Sequence, residues 1–382
     1  MPEIVRAALV LTMDPARPRL EDGGVFTDGG RILDVGPWRE LSARHAAPTR
    51  NLGDTVLAPG LVNAHAHLEL SHMRGTTVRG QGFAAWVDSL LAGPCYEFDP
   101  HAVRAAAREM RDCGTATVAD TATRAAPDVA DILQGAGLGG VVFSEAIGFP
   151  GAAKPAAAEY PEQCHGPVRR SVSGHALTTT APEVLRAAKA HTAARGLPFS
   201  LHLAEHEDEE AALLRGEGAL CAMLAEAGRL PAGWKAPGVR PVPLAVRLGL
   251  LDAGTMAVHC VRLDAADIAT LAESGATACL CPRSNAYITG ERAPWERLLG
   301  AGVPCCLGTD SAASNDDLDL TAELAYFVAG YEGALSAEAA LALVTTIPAR
   351  TLGLEGAYGR IAPGMRAAFC ELPRPLAEAL GC

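Results

Sequence analysis

From residue 57 onward the chain alternates short apolar runs with alanine-rich segments of helical character, and this rhythm constrains the fold more than any other feature. Eight runs read as strands, at residues 57–62, 116–119, 140–144, 171–173, 199–203, 256–259, 277–280 and 303–307. Helical stretches fall between or after them at 101–113, 182–195, 208–214, 265–274 and 322–330. Strands alternating with helices make a parallel sheet covered by helices, and eight such units favour a (β/α)8 barrel of the TIM type over an open sheet. Residues 341–352 also read as helical, interrupted at Pro348.

The ends of the chain follow a different grammar. Residues 1–56 carry short β-like runs at 4–12, 24–27 and 31–35, separated by Gly, Pro and Asp turns. The stretch Gly359-Arg360-Ile361-Ala362-Pro363-Gly364 returns to turn-and-strand composition. The expected organisation is therefore a barrel at 57–355 and a small β-sandwich domain built from both termini, 1–56 and 356–382.

A chain of 382 residues with 49% apolar and 20% charged residues has the composition of a globular protein with a large core. Its net charge of -12, with no basic cluster, argues against nucleic acid as a partner and for a small molecule. The 11 cysteines form no C-x-x-C pair, and several lie in apolar runs, where a thiol behaves as a small core residue. The N-terminal run lacks a basic secretion signal, and no apolar run approaches a membrane span, so a cytoplasmic protein is expected. A homodimer is one possible assembly.

Polar residues gather at the C-terminal ends of the strand candidates, the face where barrel chemistry collects. His65 and His67 are one residue apart after the first strand and would project from the same side. His202 ends the fifth strand, His259 ends the sixth, and Asp310 follows the eighth. Three imidazoles and a carboxylate suit one Zn²⁺ or Fe²⁺, with nitrogen–zinc bonds of roughly 2.0 to 2.1 Å. One H-x-H is a weak signal. The coincidence of five such residues, each after an apolar run, is a strong one.

Glu205 lies three residues after His202, in the following loop, where a carboxyl group could move protons beside a metal. Its plainer reading is a helix-start acid, yet it precedes the acidic cluster Asp208-Glu209-Glu210 that opens the next helix. The fourth strand, Ser171-Val172-Ser173-Gly174-His175, offers no lysine to bridge two metals. Lys189 falls in the helix after it and Lys154 in the loop before it, so a single metal is expected.

Assembled, the segments Pro59-Gly60-Leu61-Val62-Asn63-Ala64-His65-Ala66-His67, His202-Leu203-Ala204-Glu205, His259-Cys260, Cys281-Pro282-Arg283-Ser284-Asn285 and Gly308-Thr309-Asp310-Ser311-Ala312-Ala313-Ser314-Asn315 resemble the amidohydrolase superfamily. The likeness spans nearly the whole chain. Within it, His67-Leu68-Glu69-Leu70-Ser71 and Phe83-Ala84-Ala85-Trp86 look most like aminodeoxyfutalosine deaminases of menaquinone biosynthesis. The resemblance implies that His65, His67, His202 and Asp310 hold the metal. Glu205 would protonate a purine ring nitrogen and pass a proton to departing ammonia, while His259 and Asp310 orient and deprotonate the attacking water.

The substrate would be an aminated purine nucleoside. His175 looks like a purine contact, although His175-Ala176-Leu177-Thr178 departs from the usual His-Ala-Pro-Tyr. Ala84 or Ala85 stands where some relatives carry a ribose-binding Glu, leaving Glu69 or Arg74 to take over. Trp86 reads equally as a core aromatic or a pocket wall. Arg283 reads equally as a partner for a substrate carboxylate or as a structural arginine. Competing readings are a relative that displaces halide from a triazine or opens a cyclic amide, and a catalytically silent binding protein.

Overall fold

The computed structural model describes residues 1–148, 166–230 and 233–382; Lys154 lies outside them. The strands of the small domain are β1 (Glu3–Leu11), β2 (Arg19–Asp28), β3 (Arg31–Pro37), β4 (Thr49–Asn51) and β5 (Val56–Pro59). Those of the barrel are β6 (Leu61–Ala66), β7 (Thr115–Ala122), β8 (Gly139–Ala146), β9 (Val168–Ala176), β10 (Phe199–Leu203), β11 (Thr255–His259), β12 (Thr277–Leu280) and β13 (Cys305–Leu307). The last strand, β14 (Phe369–Glu371), returns to the small domain.

The eight barrel strands pair in chain order as one parallel sheet from β6 to β13. The sheet closes where β13 meets β6, through a parallel bridge between Ala66 and Asp310. Asn63 stitches this seam, its Nδ2 donating to Thr309 Oγ1 at 2.7 Å and its Oδ1 accepting from Thr309 N at 3.1 Å. Inside, Val62, Ala64, Ala119, Val141, Phe143, Met256, Val258, Cys279 and Cys306 fill the barrel. Such a barrel is a packed core, which leaves its chemistry to the loops at the C-terminal end.

The helix Pro100–Asp112 illustrates how the outer layer forms. Asp99 caps it by accepting from the backbone of His101 and Ala102, and Pro100 occupies the first turn, where its missing N–H costs nothing. Val103, Ala106, Ala107 and Met110 follow helical spacing and bury against Val118 and Val129. Burial of an aliphatic chain of Met or Val size contributes roughly 1.5–3 kcal/mol.

The small domain is a six-stranded mixed sheet in which β5 runs parallel to β1 and antiparallel to β14. Both termini thus share one sheet, as the sequence suggests. Three boundaries shift. The apolar run at 57–62 is two strands, with β5 in the small sheet and β6 in the barrel. Gly60 separates them where a Cβ would fall 2.5 Å from the Ala116 methyl. The C-terminal helical region breaks at 343–345 rather than at Pro348, which sits in the first turn of the helix Thr346–Thr351, where proline is tolerated. The turn at 359–364 carries no strand; β14 begins at Phe369.

Lys189 anchors the helix Pro182–Ala193 against the start of β11, with Nζ donating to Asp252 Oδ1 at 2.6 Å and Thr255 Oγ1 at 2.7 Å. Burial would raise the Asp252 carboxyl, but the ammonium and the Gly254 N–H outweigh it and hold it below its usual value. The Asp252 side chain is 54% exposed, so solvent screens the pair and Lys189→Met should cost only about 1 kcal/mol. A depressed carboxyl contributes stability above its unfolded pKa and loses it as pH falls through the folded one. Urea unfolding should therefore separate Lys189→Met from wild type at pH 7, with the gap closing on acidification below about pH 4; a gap that widens would disprove the pairing.

Candidate metal centre and proton-transfer site

The convergence begins with strand geometry. His65 is the penultimate residue of β6 and His67 follows its end. The register of β6 against β7 shifts between Asn63 and Ala66, which breaks the alternation set by the inward Val62 and Ala64 and lets both rings reach the site. His202 lies in β10 and His259 ends β11. Asp310 follows β13 with its N–H bonded to His65 O at 3.0 Å. Ala204, His259, Cys260 and Asp310 all hold positive φ, from 52 to 76°. A left-handed conformation costs a non-glycine residue about 1 kcal/mol or more, and such strain clusters at sites that must aim a side chain. Cross-ties hold the strained loops, with Val261 N and Arg262 N both donating to Ala204 O at 2.9 and 2.8 Å.

The three nearest imidazoles face one point. His67 Nε2 and His65 Nε2 each lie 3.3 Å from His202 Nε2. Asp310 Oδ1 lies 3.7 Å from both His65 Nε2 and His67 Nε2. Carbonyl oxygens fix two tautomers, because a carbonyl can only accept: His67 Nδ1 donates to Thr121 O at 2.9 Å and His202 Nδ1 to His175 O at 2.8 Å. In the neutral rings both Nε2 atoms carry inward lone pairs that cannot bond one another. Nitrogens about 3.3 Å apart are what ligand bonds of roughly 2.0–2.1 Å give at a tetrahedral centre. The donor set fits one divalent cation.

Electrostatics agree. Burial, then the neighbouring rings, holds His65 well below its ordinary value, and burial with His175 pushes His202 down to about 3. These rings are neutral at neutral pH, the form in which an imidazole can ligate a metal. Burial would also lower His67, but Asp310, Glu145 and Asp120 outweigh it and raise it. Positive charge is favoured at that spot. Burial opposes ionisation of Asp310, yet His67, His259, His65 and the Ser284 hydroxyl hold its carboxyl well below the usual range. Its Oδ2 accepts from Ser284 Oγ at 2.5 Å and Ser314 Oγ at 3.0 Å, which leaves Oδ1 turned to the imidazoles.

Glu205 completes the cluster. Its Oε1 lies 3.6 Å from His259 Nε2, and its side chain is 13% exposed. Burial, then Asp310 and Glu209, pushes its carboxyl well above the ordinary value, which favours the protonated form. His259 is oriented from behind by Asn285 Oδ1, which accepts from Nδ1 at 3.0 Å. Burial keeps His259 below its ordinary value, hence neutral and able to take a proton.

A model of the amidohydrolase family matches residues 56–372. The chain belongs to the amidohydrolase family. It is 33% identical to the 5-methylthioadenosine/S-adenosylhomocysteine deaminase of Nitratidesulfovibrio vulgaris (strain DP4) over 349 residues, 84% of this chain and 71% of that protein. The enzyme of the same name from Moorella thermoacetica is 30% identical over 368 residues, 92% of this chain and 81% of that one. Among solved structures, Helicobacter pylori aminofutalosine deaminase in complex with methylthio-coformycin superposes with a TM-score of 0.85 at 22% identity, covering 99% of this chain and 95% of that one. A Xanthomonas campestris adenosine deaminase with bound zinc gives 0.81 at 25% identity, covering 99% and 88%.

Membership in the amidohydrolase family does not by itself assign substrate contacts, and four of those expected from sequence meet side chains already occupied. Glu69 is buried, and its carboxylate accepts from the backbone N–H groups of Thr123, Arg124 and Ala125, clamping the loop after β7. Arg74 donates to Glu109 Oε2 at 2.6 Å and to Asp316 O. Arg283 forms a two-pronged pair with Asp317 at 2.6 and 2.7 Å, the arrangement its structural reading would give. Trp86 is half-buried, with its Nε1 donating to Ala313 O at 3.0 Å. His175 does reach the site, its ring 5.1 Å from that of His202. Sequence reasoning assigned no role to Ser284, Asn285 or Ser314, although the segments Cys281-Pro282-Arg283-Ser284-Asn285 and Ala313-Ser314-Asn315 carry them. Hydroxyl and amide residues after a strand end were the available signal.

Proposed function

We propose that this amidohydrolase is a single-metal aminohydrolase. It replaces the exocyclic amine of an adenine-type nucleoside with oxygen, consuming one water and releasing one ammonia. Within that class the reading favours aminodeoxyfutalosine, giving futalosine, as a cytoplasmic step of menaquinone biosynthesis. The single observation that carries it is the buried Glu205 carboxyl, biased by its surroundings towards the protonated form, 3.6 Å from His259 at the rim of a three-imidazole, one-carboxylate cluster. Amine departure needs a proton donor beside a proton acceptor, which halide departure does not. The names of the two deaminase relatives and of the H. pylori neighbour support the substrate class.

In this reading His65, His67, His202 and Asp310 hold Zn²⁺ or Fe²⁺, which when bound supplies Lewis acidity that brings the pKa of water towards neutrality. Glu205 donates its proton to a ring nitrogen of the substrate, which leaves the adjacent carbon open to attack. His259 accepts a proton from the attacking water, held in place by Asn285. Glu205, left as a carboxylate, then takes the hydroxyl proton from the attacked carbon and passes it to the amine. The amine leaves as ammonia as the carbonyl forms, and the proton on His259 returns to Glu205. His175 faces the same space and would contact the ring. Because the donor form of Glu205 is populated below its raised pKa, kcat/KM should fall as pH rises through that value.

The test is ammonia release by the zinc- or iron-loaded chain from aminodeoxyfutalosine, 5-methylthioadenosine, S-adenosylhomocysteine, adenosine and guanine. Adenine-type nucleosides should be turned over, aminodeoxyfutalosine fastest. Chelation should abolish the activity and re-addition of metal restore it. Turnover of a triazine halide or cyclic amide, with none of the aminopurines, would replace this reading.

A further inference from the structure

Glu145 lies at the C-terminal end of β8, and the alternation of that strand settles which way it faces. Val141 and Phe143 pack in the barrel interior with Val62, Ala64 and Val258, whereas Val142 packs outward against the helix layer. Glu145 continues the inward face. It flanks His202 on the side of β8 and β9, while Glu205 is tied to His259 on the side of β11.

The carboxylate is held but only half used. Thr123 Oγ1 donates to Glu145 Oε2 at 2.8 Å. Oε1 is buried and has no partner among the described residues, although the side chain is only 2% exposed. Ser173, the register partner of Glu145 on β9, has a buried Oγ that is likewise unpartnered. A carboxylate oxygen of Glu145 and ring nitrogens of His175 and His202 lie within 4.8 Å of one another. His202 Nδ1, 3.9 Å away, cannot satisfy Oε1 because it already donates to His175 O. Buried polar atoms are almost always paired, so an acceptor and a hydroxyl left open together beside the metal cluster mark a place for a ligand group.

We propose that Glu145 is a substrate-binding residue whose Oε1 accepts a hydrogen bond from a hydroxyl of the substrate. A hydroxyl fits this gap better than a ring N–H, because it can donate to the carboxylate and accept from Ser173 or His175 at once. On a nucleoside that group is a sugar hydroxyl. Glu145 therefore reads the sugar from the flank opposite Glu205. The inference rests on the nucleoside reading of this site.

The experiment compares wild type, Glu145→Ala and Glu145→Gln on adenosine and 5-methylthioadenosine and on the 2′-deoxy and 3′-deoxy derivatives of each, with bound metal measured throughout. Glu145→Ala should lose about 10- to 100-fold in kcat/KM on the full nucleosides, mostly through KM. The loss should shrink to about twofold on the derivative that lacks the contacted hydroxyl. Glu145→Gln, which keeps an acceptor oxygen, should recover part of it. An equal loss on all derivatives, no loss on any, or a fall in bound metal that accounts for the loss would overturn the proposal, since Glu145 would then act through His202 or hold only water. Wild type that deaminates neither these nucleosides nor aminodeoxyfutalosine would overturn the parent reading together with this one; wild type that is active with no derivative-dependent loss overturns this one alone.

Discussion

Glu205→Gln is expected to lower ammonia release by roughly 10²–10⁴-fold while bound metal stays unchanged. The amide preserves the shape of the side chain and leaves the imidazole cluster, built from His65, His67 and His202, in place. What disappears is the buried carboxyl beside His259 whose surroundings favour its protonated form. The loss should fall on kcat, because the interaction is made with the departing amine rather than with the bound ground state. Full activity in this variant, with metal retained, would remove proton donation by Glu205 from the mechanism. A parallel loss of metal would instead assign Glu205 to the metal shell.

The second large effect concerns stability and geometry together. Gly308→Ala would place a Cβ 2.7 Å from both the Cβ and the backbone N of His65, and 2.8 Å from its carbonyl oxygen. Two of those three atoms are backbone, so no side-chain rotation relieves the clash and the seam between β6 and β13 must open. Overpacking of this kind costs about 3 kcal/mol or more. The same movement separates Asp310 from His65, whose carbonyl now accepts the Asp310 N–H at 3.0 Å. A lower urea midpoint and a reduced metal content are expected together. Should Gly308→Ala match wild type in both, the close approach of the two strands is not what sets the carboxylate against the imidazoles.

His65, His67, His202, His259, Glu205 and Asp310 were legible because each follows an apolar run, and a parallel barrel sends the ends of its strands to one face. Arg283 and Glu69 were not. The partners of Arg283 are Asp317 and, at 3.2 Å from its N–H, Glu323, 34 and 40 residues on. Those of Glu69 are three backbone groups more than 50 residues away. Charge and position along the chain do not distinguish a side chain awaiting a ligand from one already neutralised by a distant loop. Glu145 shows the converse, since an ordinary glutamate at a strand end becomes notable only when its Oε1 is buried without a partner.

The sequence by itself determined the alternating strand and helix order, the eight strands, the sharing of a small sheet by both termini and which imidazoles and carboxylates gather at the C-terminal end of the barrel. These follow from local periodicity and from the rule that strand ends in a barrel converge. Tertiary structure decided the switch of sheets at Gly60, the seam at Gly308, the tautomers set by Thr121 O and His175 O, and which polar side chains are occupied. Each of those depends on atoms brought together across the barrel, and distance in space is not encoded in any local pattern.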